Sequence, residues 1–253
     1  MVPILEVDNL TKKFSLHGKK EFYGVDHVSF SLYKGEILGL VGESGSGKST
    51  IARLITRLTD ATEGTIELDG VDITHCRGKA QRELYKKIQM VFQTPVGSFD
   101  PRKTLGNGIG ESLKNQGMPA EEIRRKVVSL LTECGLSEDF ADRYPHEVSG
   151  GQCQRAAIAR SLACDPQLII LDEATSALDV TVQKQVMELL KKLHDEKNLS
   201  YLFICHNLAL VQQFCDRVLV LCDGKIMESG TPDQIIGNPQ AEYTKKLINA
   251  VFI

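Results

Sequence analysis

Apolar and polar positions alternate with two different periods along this chain, and the change from one to the other divides it. Residues 2–8 and Ile37–Val41 are apolar runs of strand length, and Val25–Leu32 between them alternates as a half-buried strand does. That alternation predicts an antiparallel patch near the N-terminus. Lys34-Gly35-Glu36 predicts a turn, and Ile51–Ile55 a helix. Gly64–Leu68 predicts a strand ending in an Asp69-Gly70 turn, 79–87 a charged helix, and 88–92 a further strand closed by Gln93. From Thr94 to about Cys164 the strand pattern fades. Ile123, Val127, Leu130, Leu131 and Cys134 recur there at helical spacing, and another helix is expected from near Gly151. Strands return at Gln167–Leu171, Tyr201–Cys205, Arg217–Leu221 and Lys225–Glu228, with an Asp223-Gly224 turn between the last two and helices predicted over Val180–Glu196 and Leu208–Phe214. Thr231 as N-cap and Pro232 at the first position start a short helix. Strands alternating with helices imply an α/β fold with a mainly parallel sheet covered on both faces. The expected organisation is a core of residues 1–93 and 165–253, carrying the antiparallel β patch, interrupted by a helical insertion over 94–164.

Composition narrows this picture. The 253 residues, 42% hydrophobic, are enough for a large core in one or two domains. A net charge of −3 provides no basic footprint for nucleic acid. The longest apolar runs, such as Val218–Cys222, fall far short of the ~20 residues of a membrane span. Met1–Glu6 lacks the basic-then-apolar order of a signal peptide. Seven cysteines, an odd number without CxxC pairs, are expected to be reduced thiols of a cytosolic protein rather than a metal site.

The chemistry concentrates in Gly42-Glu43-Ser44-Gly45-Ser46-Gly47-Lys48-Ser49-Thr50, between an apolar strand and a helix. This is the strand–GxxxxGK[ST]–helix arrangement of a phosphate-binding loop. Glycines let consecutive N–H groups converge, and the helix N-terminus adds partial positive charge where a phosphate would lie. Lys48 can reach β- and γ-phosphates, and Ser49 can ligate Mg²⁺. A dinucleotide-binding GxGxxG is excluded because Thr50, not Gly, follows Gly47 at the required position. Leu168–Leu171 ends in Asp172-Glu173. The first carboxylate suits a metal, the second an attacking water. An exposed strand end is the plainer reading, and the phosphate loop tips the balance. Ser149-Gly150-Gly151-Gln152 opens a helix with a Ser cap and glycines, a second phosphate-binding pattern or else an ordinary cap. His206 follows a strand where it could bond a γ-phosphate, although spacing alone leaves a structural role equally open. Gln93, at the entry to the insertion, could touch Mg²⁺ or the attacking water, or simply end its strand.

Together these stations resemble the ATPase subunit of an ABC transporter over nearly the whole chain. Gly42–Thr50 matches the Walker A loop, Gln93 the Q-loop glutamine, and Val148–Gln152 the LSGGQ signature with Val for Leu. Leu168–Glu173 matches Walker B, Ser176–Asp179 the D-loop, and His206 the switch histidine. Phe14 falls where the family stacks an aromatic ring on adenine, with Tyr23 a second candidate. The departures are Cys205 and Asn207 beside His206, where many members have Thr and Asp. Within the family, Met90–Gln93, Ser98–Arg102, Leu178–Gln183 and the tail Asn238–Leu247 resemble the oligopeptide, dipeptide and nickel importer branch. Ending at Ile253 without a cysteine-bearing extension, the chain is similar to the short, second ATPase of such importers.

The resemblance implies an ATP- and Mg²⁺-dependent ATPase on the cytoplasmic face of the membrane. Its partners would be a second ATPase chain, identical or not, two permeases, and through them an extracytoplasmic binding protein. Two chains would close around two ATP molecules. Lys48, Ser49 and Thr50, with Gly42, Ser44, Gly45 and Gly47, would hold the phosphates of each ATP. Ser149, Gly150, Gly151 and Gln152 of the other chain would contact the γ-phosphate. Glu173 would activate water, His206 position the γ-phosphate, Asp172 and Gln93 serve the metal, and Asp179 line the site. The insertion would dock a permease helix near Gln93–Arg102. A soluble ABC ATPase outside transport, or a nucleotide-gated module with a dead site, are the alternatives. The absence of coiled-coil arms and a basic surface counts against the first, and intact Glu173 and His206 against the second.

Overall fold

Two long strands begin the chain. β1 (Pro3–Leu16) and β2 (Lys20–Tyr33) run antiparallel, with Leu5 opposite Leu32 and Phe14 opposite Phe22. The computed structural model describes residues 2–16 and 20–252, and all elements are numbered in chain order. By internal packing it forms two units, residues 1–85 with 198–253, and residues 86–197.

In the first unit, β4 (Glu63–Leu68) pairs antiparallel with β1, and the short β5 (Val71–Asp72) with β4. The expected antiparallel patch is therefore present, but β1 extends well beyond residue 8. The reason is local: Asn9 adopts φ 48°, and the pairing with β2 shifts between Val7 and Leu10 and again before Lys12. Such a bulge breaks the alternation on which a period-two reading depends. The other strands of this unit centre on β3 (Ile37–Val41), which is parallel to both β8 (Ser200–Ile204) and β9 (Arg217–Cys222). β10 (Lys225–Gly230) adds antiparallel to β9. Every residue of β3 and β8 is buried, as continuous apolar runs in parallel strands require. Phe203 meets Phe214 of α7 (Leu208–Phe214) edge-on, with ring centroids 5.1 Å apart. The short helix α8 (Pro232–Gly237) carries the capping expected of it: Thr231 Oγ1 accepts from Gln234 N–H, and Gln234 Oε1 accepts from Thr231 N–H.

In the second unit, β6 (Ile88–Val91) lies parallel to β7 (Leu168–Asp172), with Val91 opposite Leu171. β6 ends one residue earlier than predicted, so Phe92 and Gln93 lie beyond it. Helices α3 (Leu105–Asn115), α4 (Ala120–Glu133) and α5 (Gly150–Leu162) pack together as the helical pattern anticipated. Val127, Leu130, Leu131 and Cys134 are buried in their core, and Ile123 is half-buried. Helix α6 (Val180–Lys197) follows β7. α5 is buried on nearly every side from Cys153 to Leu162, so it shows no amphipathic stripe in sequence. No helix among the described residues is long and apolar enough to cross a membrane.

Candidate nucleotide site

The loop between β3 and α1 (Lys48–Ile55) is built around backbone groups. Gly47 caps the helix at φ 111°, and a Cβ there would fall 2.4 Å from the Gly24 carbonyl oxygen. Only glycine allows both the left-handed backbone and that approach. Lys48 is buried, and its ammonium donates to the carbonyls of Gly42 (2.9 Å) and Glu43 (2.8 Å). The side chain is thereby folded back over the loop. Ser46 is also buried, and its hydroxyl finds no hydrogen-bond partner among the described residues. Leaving such a group unpaired costs about 1–3 kcal/mol, so a ligand oxygen is the natural completion. Ser49 and Thr50 are half-buried in the first turn of α1, whereas Ser44 and Gly45 are exposed.

Phe14 comes to this loop from β1. A methyl built on Gly24 would lie 2.6 Å from Phe14 Cε2 and 3.7 Å from Thr50 Cγ2, so ring and helix start are near neighbours. Phe14 stacks on Phe22 at 5.5 Å. Tyr23 pairs with Lys13, one position along from the Phe14–Phe22 pair, so the pleat puts it on the opposite face of the hairpin. Of the two aromatic candidates, Phe14 is the one beside the loop.

In the second unit, β7 delivers Asp172 buried and Glu173 half-buried. Glu173 has φ 49°, a left-handed conformation that costs a non-glycine residue of order 1 kcal/mol and recurs at functional sites. Gln93 Nε2 donates to Glu173 Oε2 at 2.8 Å and to Ser176 Oγ at 3.3 Å. Ser176 Oγ in turn donates to the Glu173 carbonyl at 3.0 Å. Two strand ends distant in sequence thus meet in one polar cluster. Asp179 Oδ1 accepts from Thr181 and Val182 N–H at 3.1 and 3.0 Å, which caps the start of α6. Within the second unit Asp172 and Gln93 offer carboxylate and amide oxygens, and within the first Ser49 offers a hydroxyl, each a hard donor of the kind Mg²⁺ takes. No group of three His, Cys, Asp or Glu side chains among the described residues could hold a metal by itself.

The second glycine-rich start is partly satisfied from within. Ser149 caps α5: its Oγ accepts from Gln152 N–H at 3.3 Å, and Gln152 Oε1 accepts from Ser149 N–H at 2.9 Å. Ser149 and Gly150 are exposed. Gly151 is buried, and a Cβ there would be 2.3 Å from Val182 Cγ1, so this glycine lets α5 and α6 approach. Burial pushes the adjacent Cys153 thiol up to about 11, which leaves it a packing group. All seven cysteines are free.

In the first unit His206 follows β8 exposed. Its neighbour Asn207 caps α7, with Oδ1 accepting from Ala209 N–H (3.0 Å) and Leu210 N–H (3.4 Å). The cap needs an acceptor oxygen, which Asn supplies as Asp would, so the departure at this position preserves the local structure. Two residues to which sequence assigned no role take part here. One is Ser176; the other is Tyr243, whose hydroxyl accepts from Glu43 N–H at 3.1 Å. Both stood inside segments matched only as motifs, and neither carries a local signal for its contact.

Comparison with known proteins bears on this geometry directly. Residues 25–176 match the family described as ABC transporter. The oligopeptide transport ATP-binding protein OppF of Salmonella typhimurium is 44% identical over 258 residues, covering 98% of this chain and 77% of that protein. The dipeptide transport ATP-binding protein DppF of Haemophilus influenzae is 44% identical, covering 98% and 78%. Among solved structures, the dimeric post-hydrolysis state of the ATP-binding cassette MJ0796 bound to ADP and Pi superposes with a TM-score of 0.82 at 31% identity, covering 90% of this chain and 98% of that one. With a phosphate loop in place and relatives of this likeness along nearly its whole length, the chain belongs to the ABC transporter family as one of its ATP-hydrolysing, nucleotide-binding members.

Proposed function

We propose that this chain is the ATPase subunit of an importer for oligopeptides or dipeptides, with nickel or metal chelates as the other cargo of the branch it resembles. The reading rests on one observation above all, the hydrogen bond from Gln93 to Glu173. It ties the residue suited to activate water to the residue that opens the helical region, so that occupancy and subdomain position can inform each other. The names of the relatives in oligopeptide and dipeptide transport support the cargo class.

On this reading residues 94–164 act as a signature subdomain within a core of 1–93 and 165–253. Lys48, Ser49 and Thr50, with Gly42, Ser44, Gly45 and Gly47, hold the phosphates, and Phe14 stacks on the base. Ser49, Asp172 and Gln93 would hold Mg²⁺ with the nucleotide, where the cation would neutralise phosphate charge. Glu173 accepts the proton of the attacking water. His206 donates to the γ-phosphate, and Asp179 lines the site. Ser149, Gly150, Gly151 and Gln152 reach the γ-phosphate of a nucleotide held by a second ATPase chain. The dimer closes on ATP because those contacts exist only while the γ-phosphate is present, and hydrolysis reopens it. Two integral permeases receive this motion at the cytoplasmic face of the membrane, and an extracytoplasmic binding protein delivers cargo to them.

The Glu173→Gln variant tests the assignment. It should keep ATP affinity, lose hydrolysis by about a thousandfold, the usual scale for a general base, and accumulate as an ATP-bound dimer on gel filtration. Wild-type turnover by this variant would remove Glu173 from the mechanism.

A further inference from the structure

The peptide group between Gly42 and Glu43 is held at both ends. Its N–H donates to Tyr243 Oη at 3.1 Å, and its carbonyl accepts from Lys48 Nζ at 2.9 Å. No cis peptide occurs among the described residues, so this group is trans. In a planar trans peptide N–H and C=O point in opposite directions, and fixing one fixes the other. Tyr243 belongs to α9 (Glu242–Phe252), the C-terminal helix, some 200 positions along the chain from the loop it touches. The start of that helix is itself secured. The Glu228 carboxylate on β10 accepts from Gln240 N–H at 2.8 Å and Ala241 N–H at 3.0 Å, and Leu247 anchors the helix in the core. Burial, reinforced by the nearby Glu43 carboxylate, pushes the Tyr243 phenol above its ordinary value, so it stays a neutral hydroxyl.

We propose that Tyr243 is a positioning residue for Lys48: it orients the Gly42–Glu43 peptide so that the Gly42 carbonyl faces the ammonium, and thereby sets the affinity of the site for nucleotide. It touches no atom of the nucleotide and acts through the backbone alone. The inference rests on the phosphate-binding role of Lys48 proposed above. Without the phenol oxygen the peptide is released to rotate. Lys48 then loses a carbonyl that holds its amine over the loop, and must be reordered when phosphate arrives.

The test is Tyr243→Phe, which keeps the ring and removes only the oxygen. Mg-ATP binding is titrated on the purified full chain, and KM and kcat for ATP are measured in the assembled transporter. One lost hydrogen bond of ordinary strength corresponds to about a fivefold weaker Kd and a matching rise in KM, with kcat within about twofold of wild type. Leu247→Ala loosens the same helix while keeping the hydroxyl. It should lower the melting temperature and leave Kd within about twofold. Unchanged Kd in Tyr243→Phe, or an equal loss of affinity in Leu247→Ala, overturns the proposal. Lys48→Ala separates the two levels. If it abolishes binding while Tyr243→Phe does not weaken it, the tyrosine has no positioning role. If Lys48→Ala binds like wild type, the phosphate-loop assignment fails and the tyrosine's role with it.

Discussion

Helices α1 and α5 both begin behind a turn of serine and glycine, yet their N-termini are completed in different ways. At α1 the cap is a left-handed glycine, the buried lysine folds over the loop, and a buried serine hydroxyl lacks a partner among the described residues. At α5 the cap is Ser149, and the serine and Gln152 satisfy each other reciprocally. The first is a cradle that a ligand must finish. At the second the N–H groups of Ser149 and Gln152 are already taken, so a phosphate reaching it meets fewer unspent donors. A glycine-rich helix start is thus not by itself a phosphate site; what matters is which donors the chain has left unspent. It follows that α1 should bind nucleotide in the single chain, whereas α5 should add a weaker grip that matters only when a second chain presents it.

The sharpest way to break this contrast is at Lys48. Lys48→Ala removes the only cation of the loop and should weaken Mg-ATP binding by the single chain by about a hundredfold, the equivalent of roughly 3 kcal/mol for charge-assisted hydrogen bonds. Isothermal titration measures it. A smaller effect is expected at Gly151. Gly151→Ala puts a methyl against Val182 and should lower stability by about 1–3 kcal/mol, the usual range for overpacking, with binding by the single chain intact. Pairing it with Val182→Ala should restore most of the melting temperature by making room. Lost ATPase activity at unchanged melting temperature would instead place Gly151 at the phosphate and not in the packing. The least change is expected from Ser149→Ala. Loss of the cap should cost about 1 kcal/mol of stability, seen as a small fall in melting temperature, with single-chain nucleotide affinity unchanged. Turnover should fall only under conditions where two chains associate. A strict monomer hydrolysing at full rate with or without Ser149 would remove any role for α5 in the reaction.

Local pattern carried much of the fold. The bounds of the helices over Lys79–Lys87 and Leu208–Phe214 match their predicted spans, because periodicity and flanking turns are properties of neighbouring residues. So does the cap at Thr231, where Pro232 and Gln234 stand in sequence beside it. β1 was harder, since its alternation is interrupted at Asn9 by a bulge whose only sequence mark is a polar residue. α5 hid its orientation because it is surrounded, and a surrounded helix has no polar face to betray its period. Within the candidate site, the residue types of Gly42–Thr50 and Asp172-Glu173 were legible because each motif is contiguous. The bond between Gln93 and Glu173 and the contact of Tyr243 with Glu43 were not.

By itself, then, the sequence determined which segments extend, which coil, and where a turn of glycines before a lysine makes a place for phosphate. Each of these depends on sterics and hydrogen bonding within a few residues. Tertiary structure decided which of two serine-glycine helix starts remains open, why Gly151 must lack a side chain, and which distant residue holds the loop beneath Lys48. Those outcomes depend on which side chains and which N–H and C=O groups the fold brings together, and contacts between residues far apart in the chain leave no period in the sequence to be read.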